Sequence, residues 1–117
     1  MGRDFIVPSN ILTINKEAVM LVKVNVPLKT LDGQTMKDNV DGEAVDALVK
    51  MVIVNAILSP VEKESGIEKV KKYELAKKIY ANDEVDLDEK EIAVIKDRVG
   101  ENFAPIIVGQ IYELLKV

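Results

Sequence analysis

Three of the four prolines, Pro27, Pro60 and Pro105, divide this chain into segments with different hydrophobic spacing. Proline has no amide hydrogen and a fixed φ, so it stands at the ends of strands and helices rather than inside them. Before Pro27, apolar and polar residues alternate, which predicts a strand over residues 18–26. Farther on the spacing is helical, and Pro60 and Pro105 predict the end of one helix and the start of another. Strands followed by helices predict an α+β fold: N-terminal antiparallel strands or a β-hairpin, followed by about four α-helices.

A hairpin is predicted over residues 28–37, directly after the first strand. The pair Asp32-Gly33 lies between two short runs with strand character. Asp-Gly accepts the positive φ angles of a two-residue type I′ turn, the commonest short hairpin connection. The edge of such a hairpin can pair with another chain. We therefore expect a contact surface there, formed by Leu28, Thr30, Leu31 and Met36.

The first helix is predicted over residues 43–58. Glu43, Asp46 and Lys50 would form one narrow polar stripe on a helix that is otherwise apolar and buried nearly all round. Ser59-Pro60 would end this helix. Its start has three candidate capping residues. These are Asp38, Asn39 and Asp41.

A second helix is predicted over residues 66–81, although its apolar positions spiral around the helix instead of keeping to one face. Glu68–Lys72 and Glu74–Lys78 have the i,i+4 spacing of stabilising ion pairs. A patch of lysines on this helix suggests a weak basic surface, interleaved with glutamates. It consists of Lys69, Lys71, Lys72, Lys77 and Lys78.

Two further helices complete the prediction. Asp86 is expected to cap the third helix, with Glu89 completing a capping box, and Gly100 to end it. Ile92, Ile95 and Val99 would form its buried stripe. In the last helix, Ile107, Val108, Ile111 and Leu115 would face inward, and Gln110, Glu113 and Lys116 outward. We expect Gly109 to permit another helix to cross closely there.

Composition excludes several chemistries. The chain of 117 residues contains no His, Cys or Trp and has a net charge of −4. Without His and Cys there are no thiol nucleophiles, Ser-His pairs, disulfides or imidazole and thiolate zinc sites. One domain over residues 1–117 is expected, with residues 1–17 as an edge strand or a flexible N-terminal extension. No segment is apolar over the length of a membrane-spanning helix, so we expect a cytoplasmic protein that binds no membrane.

Acidic clusters raise the possibility of a metal site, without matching a known loop. One comprises Asp83, Glu84, Asp86, Asp88 and Glu89; the other comprises Asp38, Asp41, Glu43 and Asp46. Neither has the spacing of a calcium-binding loop, and carboxylates are also favoured at helix starts. We therefore predict no catalytic residue, no metal and no cofactor, while a metal-dependent hydrolase remains a third alternative.

Residues 28–117 resemble small proteins encoded by tailed phages and prophages. The segments that carry the resemblance are 31–33, 68–79, 85–87, 95–96, 105–110 and 112–115. The resemblance implies a phage context without an assigned activity. It favours a non-enzymatic protein-binding module that acts as an assembly accessory, through homo-oligomerisation or by capping a partner. The alternatives are a phage inhibitor of a host protein and a nucleic-acid-associated factor that uses helix 66–81; nucleic acid is the less favoured partner.

Overall fold

The computed structural model describes residues 19–116 of the chain. Within that range the elements are β1 (Met20–Lys23), β2 (Lys37–Val40), β3 (Glu43–Asp46), α1 (Val49–Leu58), α2 (Gly66–Tyr80), β4 (Glu84–Leu87), α3 (Glu89–Asn102) and α4 (Pro105–Leu115). The predicted α+β class and the four helices are confirmed. The edge strand or flexible N-terminal extension predicted over residues 1–17 lies outside the described residues.

The small sheet of β1 and β4 closes the fold between distant parts of the chain. The two strands are antiparallel, with Val22 opposite Val85. Their inward side chains, together with Val24 and Leu87, are buried in the core. Residues 84–87 alternate exposed and buried side chains. Asp86 is therefore part of a strand, and the prediction that it caps a helix is wrong. Asp88 caps α3 instead, in a capping box with Glu91.

The helices pack around α1, which lies against both α2 and α3, while α4 packs against α3. Fully buried isoleucines at positions 53, 57, 79, 95 and 111 fill the space between them. Each such side chain contributes about 1.5–3 kcal/mol when it leaves water. α1 is less enclosed than predicted, because Met51 and Leu58 are exposed on its outer side.

The start of α1 is capped by the main chain. The amides of Val49 and Lys50 donate to the carbonyls of Val26 and Val24, at 2.9 and 2.8 Å. These bonds satisfy first-turn donors that a capping side chain would otherwise serve. The predicted caps Asp38, Asn39 and Asp41 are wrong, since these residues lie in β2 and in the turn that follows it. Glu43 and Asp46 begin and end β3, so the predicted first turn of the helix is wrong as well.

The two Asp-Gly pairs adopt different turns. At Asp41-Gly42 both φ angles are positive, 52° and 81°, and Val40 pairs with Glu43. This is a two-residue type I′ turn. At the predicted site only Gly33 is left-handed, with φ of 88°. The amide of Gly33 donates to Thr30, and that of Thr30 to Gln34, which defines a three-residue loop. The type I′ turn predicted at Asp32-Gly33 is therefore wrong.

The glycine that has a close neighbour on another helix is Gly100, which the Tyr112 side chain approaches, and not Gly109. α3 continues through Gly100 to Asn102, so the predicted stop is wrong. A Cβ atom on Gly100 would lie 2.7 Å from the Tyr112 hydroxyl, which itself donates to the Lys96 carbonyl. A Cβ atom on Gly109 would meet nothing within 4 Å. The prediction that Gly109 permits a close helix crossing is wrong.

One buried cation holds the end of α1. Arg98, whose side chain is 8% exposed, donates from Nη2 to the Ser59 hydroxyl at 2.8 Å. Ser59 also donates to the Ala56 carbonyl and accepts from Asn102. The carboxylates nearest the guanidinium belong to exposed residues of α3, at 3.8 and 3.9 Å. The Ser59-Pro60 sequence thus ends the helix, as predicted, and also anchors α3 to it.

Candidate protein-binding surface

Three backbone segments meet at a junction beneath the exposed strands. The amide of Leu28 donates to Ala47, that of Ala47 to Met36, and that of Met36 to Leu28, each at 2.8 Å. This cycle of hydrogen bonds connects three short antiparallel pairings. Leu28 is buried, and Met36 and Ala47 pack against the core. The junction therefore fixes the roots of two segments that leave it, residues 29–35 and residues 37–46.

The segment 37–46, which we call the arm, extends from the junction into solvent. It consists of β2, the type I′ turn and β3, and every residue in it is exposed. Packing against the core stops at Met36 and Ala47. An isolated two-stranded hairpin is marginally stable in water, so a projecting ribbon of this kind gains from a partner surface. Lys37 and Asp46 form an ion pair across its base.

One face of the arm combines apolar and acidic side chains. The register places Asp38 opposite Val45 and Val40 opposite Glu43, and these four residues share a face. The two valines are diagonal neighbours, 52% and 38% exposed. Four carboxylates and one lysine give the arm a formal charge of −3. The arm therefore presents two apolar side chains in a negatively charged surround.

The other segment is held against α4 by one side-chain amide. The main-chain amide of Lys29 donates to Gln110 Oε1 at 2.8 Å, and Gln110 Nε2 donates to the Lys29 carbonyl at 2.8 Å. The Gln110 side chain thus pairs with Lys29 as a neighbouring strand would. Gln110, which was predicted to face outward, is half-buried against this segment. Leu31, at the tip of this loop, is 96% exposed.

α2 carries exposed apolar side chains in addition to those that face the core. Leu75, Ala76 and Ile79 face the core. Four others are each more than half exposed. They are Ile67, Val70, Tyr73 and Tyr80. The helical period spreads these four positions over a broad exposed sector, in which Val70 lies beside α3 and Tyr80 lies close to the buried Ala76. The apolar residues that spiral around this helix therefore divide into a buried group, which contributes to the core, and an exposed group, which does not.

A groove of about 600 Å³ runs between α2 and α3. We call it the α2–α3 groove. Val70, Leu75 and Val94 supply its apolar lining. Charged side chains form the rest of the lining: Lys71, Lys72, Lys78 and Lys90, with Glu74 and Glu91. The groove thus combines an apolar lining with a net positive rim, the opposite electrostatic character to the arm.

The predicted lysine patch is divided by ion pairs. Lys72 pairs with Glu64, and Lys78 pairs with Glu91 at 3.2 Å. These pairs replace the predicted bonds to Glu68 and Glu74. Lys77 lies 4.0 Å from Glu74 and 5.1 Å from the Tyr73 ring centroid. Lys69 and Lys71 are exposed. The five lysines therefore do not form one continuous positive surface.

The predicted hairpin surface is also divided. Leu28 is 1% exposed and belongs to the core, so its assignment to a contact surface is wrong. Met36 is half-buried at the junction. Thr30 and Leu31 are exposed, and the Thr30 hydroxyl donates to the Asp32 carboxylate. This hydrogen bond lowers the pKa of Asp32 below its ordinary value of 3.8.

The acidic residues between positions 83 and 89, which the sequence suggested as one cluster, have separate surroundings. Asp83 lies 3.5 Å from Lys50, whose ammonium also donates to the Tyr80 carbonyl at the end of α2. Asp88 caps α3, and Glu84 and Asp86 lie on the exposed face of β4. Across residues 19–116, no three acidic side chains converge as a metal site.

The length and hydropathy of the helices bear on membrane association, and comparisons with known proteins bear on ancestry. None of the helices between residues 19 and 116 combines the length and the apolar character needed to cross a bilayer. No family model, curated protein or solved structure matches this chain.

Proposed function

We propose that this chain is a non-enzymatic protein-binding module that assembles through its arm. The observation that carries the proposal is the arm itself: a fully exposed, rigidly rooted β-ribbon with two exposed valines. Ordered apolar side chains of this kind mark interaction sites when they occur together on one surface. The exposed apolar side chains of α2 add a second apolar surface on the same molecule.

The resemblance to tailed-phage proteins supports an assembly role, in the host cytoplasm or in the virion. We infer that the binding is used to build or cap a protein assembly. Inhibition of a host protein would use the same surfaces. A nucleic-acid partner is less favoured, since two of the five lysines on α2 are already paired with glutamates and the arm is acidic.

The test removes the apolar face of the arm without disturbing the core. In the variant Val40→Ser with Val45→Ser, both changes are on exposed residues, so the domain should fold as the wild type does. We expect the wild-type chain either to exceed the 13.0 kDa mass of one chain in light scattering or to retain a specific protein from host lysate. The variant should lose that behaviour.

A control pair on a different surface separates this effect from a general loss of solubility. Met51→Ser and Leu58→Ser also remove two exposed apolar side chains, on the outer side of α1. Binding should survive in this control. The proposal is overturned if the wild-type chain stays a monomer and retains nothing, or if the arm variant binds as well as the wild type.

A further inference from the structure

We propose that the arm of one copy docks in the α2–α3 groove of a second copy, so that the chain assembles head to tail. This inference rests on the proposed function, since it names the partner of the arm. The arm and the groove are different surfaces of one molecule, so the contact is heterologous. Heterologous contacts produce closed rings or open filaments instead of symmetric dimers.

Charge is the first argument for this partner. The arm carries a formal charge of −3. Of the four lysines that line the groove, Lys72 and Lys78 are paired with glutamates, so Lys71 and Lys90 supply most of its positive charge. Lys71 and Lys90 are exposed on the groove rim. Complementary charges of this kind steer two surfaces together and disfavour wrong registers. The rest of the chain has a net charge of −1, which is −4 less the −3 of the arm, so the attraction depends on the local lysines of the groove.

Apolar matching is the second argument. The arm presents Val40 and Val45 on one face, flanked by Asp38 and Glu43. The groove offers an apolar lining with charged residues around it. If the valines enter the groove, their acidic neighbours lie at the level of the lysine rim. Apolar contacts are then covered and the carboxylates remain at the wet edge of the interface, an arrangement typical of protein interfaces.

The arm does not fill the groove of its own chain, since every arm residue is exposed. The junction fixes the root of the arm, and docking on a second copy would cover a ribbon that is marginally stable by itself. A second copy is therefore the partner that supplies both complementary surfaces at once. Each copy would offer one arm and one groove, and the contact can repeat.

The test uses charge reversal on each side separately. The arm variant is Asp38→Lys with Glu43→Lys, and the groove variant is Lys71→Glu with Lys90→Glu. All four residues are exposed, so both variants should keep the circular dichroism spectrum of the wild type. We expect self-association of each variant, followed by sedimentation velocity over a concentration series, to weaken by roughly 100-fold, because like charges then face each other.

Mixing the two variants gives the decisive result. The groove variant keeps an intact arm, and the arm variant keeps an intact groove. Both contacts between the two variants are then complementary in charge, because the unchanged arm meets an unchanged groove and the reversed arm meets a reversed groove. We expect the equimolar mixture to associate again, to a mass above the 13.0 kDa of one chain. As a control, Glu84→Lys with Asp86→Lys reverses the same number of acidic charges on β4 and should assemble normally.

Failure of this inference can be told apart from failure of the proposed function. If the mixture remains monomeric, or if either variant assembles as the wild type does, the arm-to-groove contact is overturned. A wild-type chain that is monomeric at all concentrations also overturns it. The proposed function would survive each of these results if host protein is still retained in an arm-dependent manner. Association in the mixture, absent from either variant alone, would establish the contact.

Discussion

Leu28→Ala and Leu31→Ala separate the contribution of a buried leucine from that of an exposed leucine in the same short segment. The structure places Leu28 in the core at 1% exposure and Leu31 in solvent at 96%. The two Leu→Ala substitutions remove the same atoms from positions three residues apart, so a difference between them measures burial alone.

The expected magnitudes differ clearly. Leu28→Ala leaves a cavity beside the three-way junction, and buried Leu→Ala changes cost about 2–5 kcal/mol. That is a large part of the roughly 5–15 kcal/mol that stabilises a typical domain. Leu31→Ala removes a side chain that is already hydrated, and surface changes of this kind remain within about 0.5 kcal/mol.

Urea unfolding followed by circular dichroism measures both variants. With a loss of about 3 kcal/mol and a slope of about 2 kcal/mol per molar urea, Leu28→Ala should lower the unfolding midpoint by about 1.5 M. Leu31→Ala should shift it by less than about 0.25 M. All samples need the same chain concentration, because association with a second copy would raise the apparent stability.

Two results would refute this reasoning. Equal destabilisation by both substitutions would mean that the exposed loop tip contributes as much as the core. A Leu28→Ala variant with wild-type stability and lost assembly would return Leu28 to the contact surface. The expected outcome is a stability loss at position 28 and none at position 31.

Three further substitutions test individual contacts. Gly109→Ala should raise the free energy of unfolding by about 1 kcal/mol, because alanine favours a helix and the added Cβ meets no neighbour; an unchanged or lower melting temperature would contradict the open space around this residue. Ser59→Ala should cost about 1.5–3 kcal/mol, since it leaves the buried guanidinium of Arg98 without its hydroxyl partner, and a loss below about 0.5 kcal/mol in urea would contradict that role. Thr30→Val should raise the pKa of Asp32 toward its ordinary value of 3.8, measured by NMR titration of the carboxyl group. Because the pKa of Asp32 is lowered in the folded state, its contribution to stability is present above pH 3.8 and is lost as the pH falls through the folded-state pKa; an unchanged pKa in the valine variant would rule out the threonine hydroxyl as the cause.

The sequence predicted helices and strands most accurately where the structure of a segment depends on its own residues and not on a distant contact. The helix over residues 66–81, the end of α1 before Pro60 and the start of α4 at Pro105 all depend on local backbone rules. The α+β class followed from the same signals. These features do not need a distant partner, so they could be predicted without one.

The errors occur where the structure of a segment depends on a distant strand or on a choice between two similar turn sequences. Two Asp-Gly pairs give the same turn signal, and the chain uses the two-residue turn at Asp41-Gly42. Residues 43–46 pair with β2, so the spacing of Glu43, Asp46 and Lys50, which suggested a helix, has no structural meaning. β4 was missed because its alternation covers four residues and its partner β1 lies in a distant part of the chain.

The candidate site could be predicted only in part, for a related reason. The sequence signals a protein-binding surface near a hairpin and lysines on α2. It does not reveal that the arm is exposed on every residue, because exposure depends on what the rest of the chain leaves uncovered. Likewise, the spiral of apolar residues on α2 divides into a buried and an exposed group only when one side is seen packed against α1. When a helix has more apolar residues than its core face requires, the excess predicts an exposed apolar surface, and this signal could have been used for α2.

The junction has a consequence for how stability and binding are divided in this molecule. The cycle of hydrogen bonds among Leu28, Met36 and Ala47 closes the core before the arm begins. Substitutions within the arm therefore change no buried contact, and they should leave the unfolding transition of the isolated domain where it is. Substitutions at the junction should weaken the core and, by loosening the root of the arm, weaken assembly as well. If arm variants lowered the stability of the monomer itself, measured below the concentration at which the chain assembles, the arm would have to be part of the core, and both proposals for its role would fail together.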